Sequence, residues 1–152
     1  MKKTVLLISI FIYQISIACS AFYFNGENKI FAKNFDWGFG QGYLIKNIRG
    51  QQKYAYGFRG NNVAGWTSKF GSITFNQNGK EFPYGGINEK GLVVEQLWLG
   101  NTEYQENNNK TISELEWIQY QLDNYENVDE VIKNINSLAI KPIARIHYFF
   151  AC

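Results

Sequence analysis

A long series of short strand-like segments, followed by a helical block, limits most strongly how this chain can fold. Predicted strands cover 43–47, 53–59, 72–77, 84–87 and 92–98, with turns rich in glycine and asparagine between them. Helical spacing of apolar residues begins after Ser113, which is placed to form a capping box with Glu116, and again after Asn127. A last strand is predicted at 145–150. Strands and helices segregated in this way predict an α+β fold and not a series of βαβ units.

Two further strands precede this series and are predicted to pair as a hairpin. Residues 29–37 alternate between apolar and polar side chains, residues 19–24 are also strand-like, and Asn25 with Gly26 supplies a turn between them. An antiparallel hairpin carries Lys33 and Asp36 back alongside Cys19. We therefore expect a thiol, an ammonium and a carboxylate at one end of a sheet.

The first 18 residues have the form of a secretory signal peptide. A basic start is followed by an apolar run over residues 4–17 that is too short to span a bilayer, and Ser16 and Ala18 place small residues before Cys19. Cleavage there leaves Cys19 as the first residue of an exported domain, 19–152. The alternatives are a short buried element, a membrane anchor, or a lipoprotein signal with acylation of Cys19. Lipoprotein signals usually carry an apolar residue where Ser16 stands.

The numbers of charged residues and of metal-ligating residues exclude several function classes. Removing residues 1–18 takes two lysines from the 15 basic residues, which leaves 13 against 13 acidic residues. A chain without a basic excess is not expected to bind nucleic acid. One histidine and two cysteines are too few for a zinc cluster, and neither a metal nor an organic cofactor is predicted. A disulfide between Cys19 and Cys152 would consume the candidate nucleophile, so we favour free thiols.

Cys19 is the candidate nucleophile because an N-terminal cysteine carries its own base. Cysteine nucleophiles usually need a histidine to form the thiolate. His147, the only histidine, falls in an apolar predicted strand, where a structural role is the favoured interpretation. A free α-amine titrates near pH ~8 and can take the thiol proton directly or through one water molecule.

Five segments carry a resemblance to a known family in their joint order. They are CSAF at 19–22, FAKNFDW at 31–37, FGSITFNQ at 70–77, GINEKGL at 86–92 and EWIQYQLD at 116–123. Together they resemble the choloylglycine hydrolase family of linear-amide C–N hydrolases, which includes bile salt hydrolases and penicillin V acylases. The resemblance implies an N-terminal-nucleophile fold, a four-layer αββα sandwich, which is incomplete here because the chain stops before the later Asn and Arg of the family's site.

The resemblance also assigns roles to individual residues. It implies that Cys19 is the nucleophile and that Asp36 orients the N-terminal amine and thiol. Lys33 stands where bile salt hydrolases carry Arg, so that a point charge replaces a bidentate guanidinium. Trp98 stands where the family places Asn or Tyr at the oxyanion hole, and an indole donates one hydrogen bond in a different geometry. Trp37, Phe39 and Trp98 are candidates to line an apolar acyl pocket, with core packing as the alternative.

These observations predict an exported hydrolase of linear, non-peptide amide C–N bonds in N-acyl compounds. Its expected partner is a small-molecule N-acyl amide, and a homo-oligomer is expected for a longer form of the protein. A stable membrane span is not expected. Two alternatives stay open: a secreted non-catalytic binding domain or lipoprotein that uses Trp and Tyr surfaces, and an inactive fragment of the enzyme.

Overall fold

The computed structural model describes residues 19–56, 58, 62–97, 102–143 and 149–151. The chain divides into two compact units, one ending at Gly38 and one running from Phe39 to Cys152. Among the described residues, no helix has the length and apolar character needed to cross a membrane. The predicted signal peptide lies outside the described residues.

The first unit contains the predicted hairpin, which the structure confirms. Strand β1 (Ser20–Asn25) pairs antiparallel with β2 (Lys29–Asn34), and the register runs from Asn25 opposite Lys29 to Ser20 opposite Asn34. Strand β2 therefore ends three residues earlier than the predicted strand 29–37. Asn34 pairs with the first residue of β1, and within the part of the chain that the structure describes no paired strand continues beside the residues that follow.

The second unit is built on a five-stranded antiparallel sheet. Its strands are β3 (Tyr43–Asn47), β6 (Ser72–Asn76), β7 (Pro83–Asn88), β8 (Val93–Gln96) and β11 (Phe149–Ala151), in the spatial order β11-β8-β7-β6-β3. Two short pairs form separate sheets: β4 (Gln52–Tyr54) with β5 (Gly65–Thr67), antiparallel, and β9 (Thr111–Ile112) with β10 (Ala139–Ile140), parallel.

Helix α1 (Glu114–Asn124) covers one face of this sheet and packs against β7 and β8. Its N-terminus carries the predicted capping box, in which the Ser113 hydroxyl accepts from the Glu116 N–H and the Glu116 carboxylate accepts from the Ser113 N–H. Leu115, Ile118 and Leu122 are buried along the helix. The core of the second unit lies between this helix and the sheet.

The two faces of the sheet differ in an unusual way along β6. Ser72, Thr74 and Asn76 are buried, whereas Ile73 and Phe75 are exposed. The two buried hydroxyls are hydrogen-bonded, since Asn47 Nδ2 donates to Thr74 Oγ1 at 3.1 Å and a glutamine of α1 donates to the Ser72 hydroxyl. Burial of these hydroxyls is tolerated because both have a partner.

Several predicted elements change their extent in the structure. Of the strand predicted at 53–59, the described residues form only part of the short β4, and residues 57 and 59 lie outside the described residues. Helix α2 (Val128–Lys133) begins at its Asn127 cap as predicted, but Val131 alone is buried, and Ile132 and Ile135 are exposed. A six-residue helix is too short to bury a full apolar stripe. Of the last predicted strand, 145–148 and hence His147 lie outside the described residues.

Candidate active site

Cys19 lies at the open end of the hairpin, immediately before β1. Its thiol is free and half-buried. Its neighbour Ser20 is paired with Asn34, the last residue of β2. The hairpin register therefore brings the segment that follows β2 to the same end of the hairpin as Cys19. Cys152, the other cysteine, lies outside the described residues.

The alternation of side chains along β2 separates the two charged candidates. Residues paired across a ladder share a face, and successive residues alternate between faces. Lys33 is paired with Ala21, and Asn34 with Ser20, so these two pairs lie on opposite faces. Cys19 immediately precedes β1. Extending the same alternation by one residue places the Cys19 side chain on the face that carries Lys33. Both candidates lie at the open end of the hairpin, with Lys33 on one face of β2 and Asp36, which follows the strand, bonded to Asn34 on the other.

An aromatic stack continues the face of Lys33 beyond the end of β2. The Lys33 ammonium lies 4.9 Å from the centroid of the Phe35 ring, a cation–π distance. The Phe35 and Trp37 rings are stacked with centroids 6.0 Å apart and an interplanar angle of 21°. Trp37 remains 42% exposed. The stack restrains a flexible lysine and leaves an aromatic surface accessible.

The opposite face carries Asp36 and a partner that the sequence analysis did not single out. Asn34 Nδ2 donates a hydrogen bond to Asp36 Oδ1 at 3.0 Å. The signal for this pair is the spacing of two residues, which places both side chains on one face of an extended chain. That signal is weak in the sequence alone, because asparagine is equally frequent in turns.

Two pocket candidates, Phe39 and Trp98, do not belong to the hairpin. Phe39 belongs to the second unit, is 69% exposed, and its carbonyl accepts a hydrogen bond from Gln77 Nε2 at 2.7 Å. Trp98 lies outside the described residues. Their predicted contact with an acyl group stays a prediction.

A buried charged cluster in the second unit was also missed by the sequence analysis. Lys53 Nζ lies 3.1 Å from Asp123 Oδ2 and 3.3 Å from Glu81 Oε2. Trp66 Nε1 and Gln119 Nε2 donate to the two oxygens of the Asp123 carboxylate at 2.7 and 2.9 Å. Burial raises the pKa of Asp123, and the nearby Lys53 ammonium opposes that rise. Lys53 of β4 and Trp66 of β5 both contact Asp123, so the cluster links these two strands to α1. Because the Asp123 side chain is fully buried, its carboxylate offers no access to a substrate.

Two cavities of the second unit are lined by residues outside the candidate set. One of about 310 Å³ is lined by Lys46, Ile73, Ile87 and Glu89, among others. Another of about 260 Å³ lies against Trp117 on α1 and the loop that contains Tyr104. Burial raises the pKa of the Tyr104 hydroxyl.

Comparison with known proteins identifies the family. Residues 19–150 match the linear amide C–N hydrolases of the choloylglycine hydrolase family. A penicillin V acylase from Pectobacterium atrosepticum is 32% identical over 133 residues, which cover 80% of this chain and 35% of that relative. The chain thus spans about a third of the length of this curated relative.

Solved structures show the same fold. The penicillin V acylase from Agrobacterium tumefaciens superposes with a TM-score of 0.67 at 23% identity, over 88% of this chain and 49% of that one. A mutant conjugated bile acid hydrolase from Clostridium perfringens gives 0.64 at 18% identity, over 88% and 43%. The predicted N-terminal-nucleophile α+β fold is confirmed by this likeness, over about half of each neighbour. The chain belongs to the choloylglycine hydrolase family of linear amide C–N hydrolases.

Proposed function

We propose that this protein hydrolyses linear amide C–N bonds in N-acyl compounds, with Cys19 as an N-terminal nucleophile after removal of residues 1–18. The observation that carries the proposal is the family match over residues 19–150, which begins at Cys19. The free thiol of Cys19 beside the paired end of the hairpin supports it. In this proposal the protein is exported before it acts, since the leader is removed during secretion.

The chemistry uses the α-amine of Cys19 as the base. The thiol proton passes to the amine while sulfur attacks the amide carbonyl, which forms a C–S bond and a tetrahedral oxyanion. Collapse of that intermediate breaks the C–N bond, and the α-ammonium donates its proton to the departing amine. Water then attacks the thioester while the α-amine takes a proton from it; the C–S bond breaks, the carboxylic acid leaves, and the α-ammonium gives that proton to the sulfur to restore the thiol. The thiol proton thus leaves with the amine product and water replaces it, and no metal or organic cofactor takes part in the proposed cycle.

Asp36 and Lys33 have separate tasks in this scheme. The Asp36 carboxylate accepts a hydrogen bond from the α-amine and sets its direction. The Lys33 ammonium, on the opposite face of β2, supplies positive charge beside the attacking sulfur. Its position over the Phe35 ring limits its motion. A guanidinium would bind in a bidentate manner, whereas this point charge tolerates more variation in the bound substrate.

The aromatic residues are proposed to contact the acyl group. Trp37 and Phe39 are both exposed, so their rings are available for an apolar ligand. Trp98 completes the proposed set and is the candidate donor to the oxyanion. The names of the relatives suggest penicillin V and conjugated bile acids as substrates to test, and acyl-homoserine lactones extend the panel to a third class of N-acyl amide.

The test begins with the N-terminus. The protein is expressed from Met1 in a secreting bacterial host, and its intact mass and N-terminal sequence are measured. We expect a mature form that starts at Cys19. A start elsewhere, or the mass of a diacylglyceryl group on Cys19, contradicts the mechanism.

Turnover of the three substrate classes is then compared between Cys19→Ser and Cys152→Ser, which remove one thiol each. We expect Cys19→Ser to lose activity by several orders of magnitude with unchanged thermal stability, because only binding and oxyanion effects remain. Cys152→Ser should behave as the wild type. Equal activity in the two variants, or no turnover by any mature form with Cys19 at its N-terminus, refutes the proposed function.

A further inference from the structure

We propose that Asn34 is a positioning residue that holds the Asp36 carboxylate in the direction of the Cys19 α-amine. This inference deepens the proposed function and rests on it. Asn34 does not touch the reacting atoms in this scheme. It acts through Asp36.

The contact itself has only one chemical orientation. Asn34 Nδ2 lies 3.0 Å from Asp36 Oδ1. An ionised carboxylate accepts hydrogen bonds and cannot donate them, so the amide N–H₂ of Asn34 must face Asp36. A hydrogen bond to a charged acceptor is stronger and more directional than a neutral one. The bond therefore fixes the rotation of the Asp36 side chain.

The position of Asn34 in the hairpin gives this bond its importance. Asn34 is the last residue of β2, and its backbone is paired with Ser20, the residue next to Cys19. Asp36 lies two residues further on, where the ladder has ended. Asn34 is thus held by the sheet in register with the nucleophile's own strand, and Asp36 is not. The side-chain hydrogen bond therefore fixes the position of the Asp36 carboxylate relative to the paired strands.

The bond also gives the two oxygens of the Asp36 carboxylate different roles. Oδ1 is engaged by Asn34. Among the residues that the structure describes, Oδ2 has no hydrogen-bond donor, so it is the oxygen available to the α-amine. Lys33 does not compete, because it lies on the other face of β2 over the Phe35 ring. Without the hydrogen bond from Asn34, the Asp36 carboxylate can rotate about its side-chain bonds. Misplacement of a positioning group by about 1 Å can lower the reaction rate ~100-fold.

The inference is tested on the mature protein with Cys19 at its N-terminus. Asn34→Ala removes the donor, and Asn34→Asp keeps the side-chain shape but replaces the donor with a charge that repels Asp36. Asn28→Ala is the matched control, because it removes an exposed asparagine from the turn end of the same hairpin. The rate of Cys19 alkylation by iodoacetamide is measured against pH for each protein, together with kcat, KM and the melting temperature.

We expect Asn34→Ala and Asn34→Asp to lower kcat by about 10- to 100-fold with little change in KM. The midpoint of the alkylation profile should move by about half a pH unit or more, because the base beside the thiol is no longer held. Asn28→Ala should match the wild type in every readout. If Asn34→Ala fails to fold, the inference is judged on Asn34→Asp alone, with the same expected changes in kcat and in the alkylation midpoint.

A wild-type alkylation profile and kcat in either folded Asn34 variant overturns the inference, whatever happens to the melting temperature. The proposed function is judged separately by Cys19→Ser. Loss of activity in Cys19→Ser combined with normal behaviour of the Asn34 variants refutes the positioning role alone. Retained activity in Cys19→Ser refutes the mechanism itself.

Discussion

Asn88 offers the sharpest quantitative test of how the second unit is held together. Its side chain makes four hydrogen bonds between the turn after β7 and the end of α1. Nδ2 donates to the carbonyls of Leu122 at 2.9 Å and Tyr125 at 2.7 Å, while Oδ1 accepts from the N–H groups of Lys90 at 3.0 Å and Leu92 at 3.1 Å. Two donors and two lone pairs are all used. The residue is also almost fully buried.

Replacing Asn88 by alanine leaves two carbonyls and two N–H groups without that partner. A hydrogen bond contributes about 0.5–1.5 kcal/mol net, and a buried group left unpaired costs more. Two of the four bonds end on buried groups and two on partly buried ones. We therefore expect Asn88→Ala to lower the free energy of unfolding by about 3–5 kcal/mol. That is a large part of the ~5–15 kcal/mol by which a domain is stable.

The assay is equilibrium unfolding in urea followed by tryptophan fluorescence. Asn78→Ala is the matched control, since the Asn78 side chain makes one bond, to the Tyr84 hydroxyl at 2.9 Å, and its loss should cost about 1 kcal/mol or less. If Asn88→Ala costs no more than Asn78→Ala, the Asn88 side chain is not the tie between turn and helix that its geometry indicates.

Three further outcomes can be checked by thermal or urea unfolding. Burial raises the pKa of Glu116, so ionisation of Glu116 destabilises the fold, and the stability of Glu116→Gln relative to the wild type should increase as the pH rises from about 4 to 7. Lys53→Met should cost about 3–5 kcal/mol because it leaves the Asp123 carboxylate buried and unpaired, and adding Asp123→Asn should recover part of the loss. Gly86→Ala should cost about 1–3 kcal/mol, since its Cβ would lie 2.5 Å from a carbonyl of β6, whereas Gly40→Ala has open space and should be neutral.

The parts of the fold that the sequence predicted are those with a local physical cause. The hairpin follows from a turn at Asn25 and Gly26 between two extended segments, and the start of α1 follows from the reciprocal bonds of Ser113 and Glu116. Each of these signals involves residues only a few positions apart. The short pairs β4–β5 and β9–β10 were not predicted, because their partners are distant in sequence and each strand has only two or three residues.

Periodicity also could not say which face of a strand is buried. Alternation along β6 defines two sets of side chains, and hydrophobicity alone would bury Ile73 and Phe75. The structure buries Ser72 and Thr74 instead, because Asn47 and α1 supply hydrogen-bond partners on that side. The same limit applies to the candidate site. The order of Lys33, Asn34 and Asp36 was visible in the sequence, but the pairing of amide with carboxylate depends on where the ladder stops.

The division of the candidate site between two faces of β2 has a chemical consequence. An N-terminal cysteine carries its amine and its thiol on the same carbon, so both groups need partners of different character within a small space. A direct ion pair between Lys33 and Asp36 would satisfy those two residues and leave neither for Cys19. Here the ammonium lies over an aromatic ring and the carboxylate is held by a neutral amide. A neutral partner orients the Asp36 carboxylate without cancelling its charge, and in the proposed mechanism this keeps negative charge for the amine.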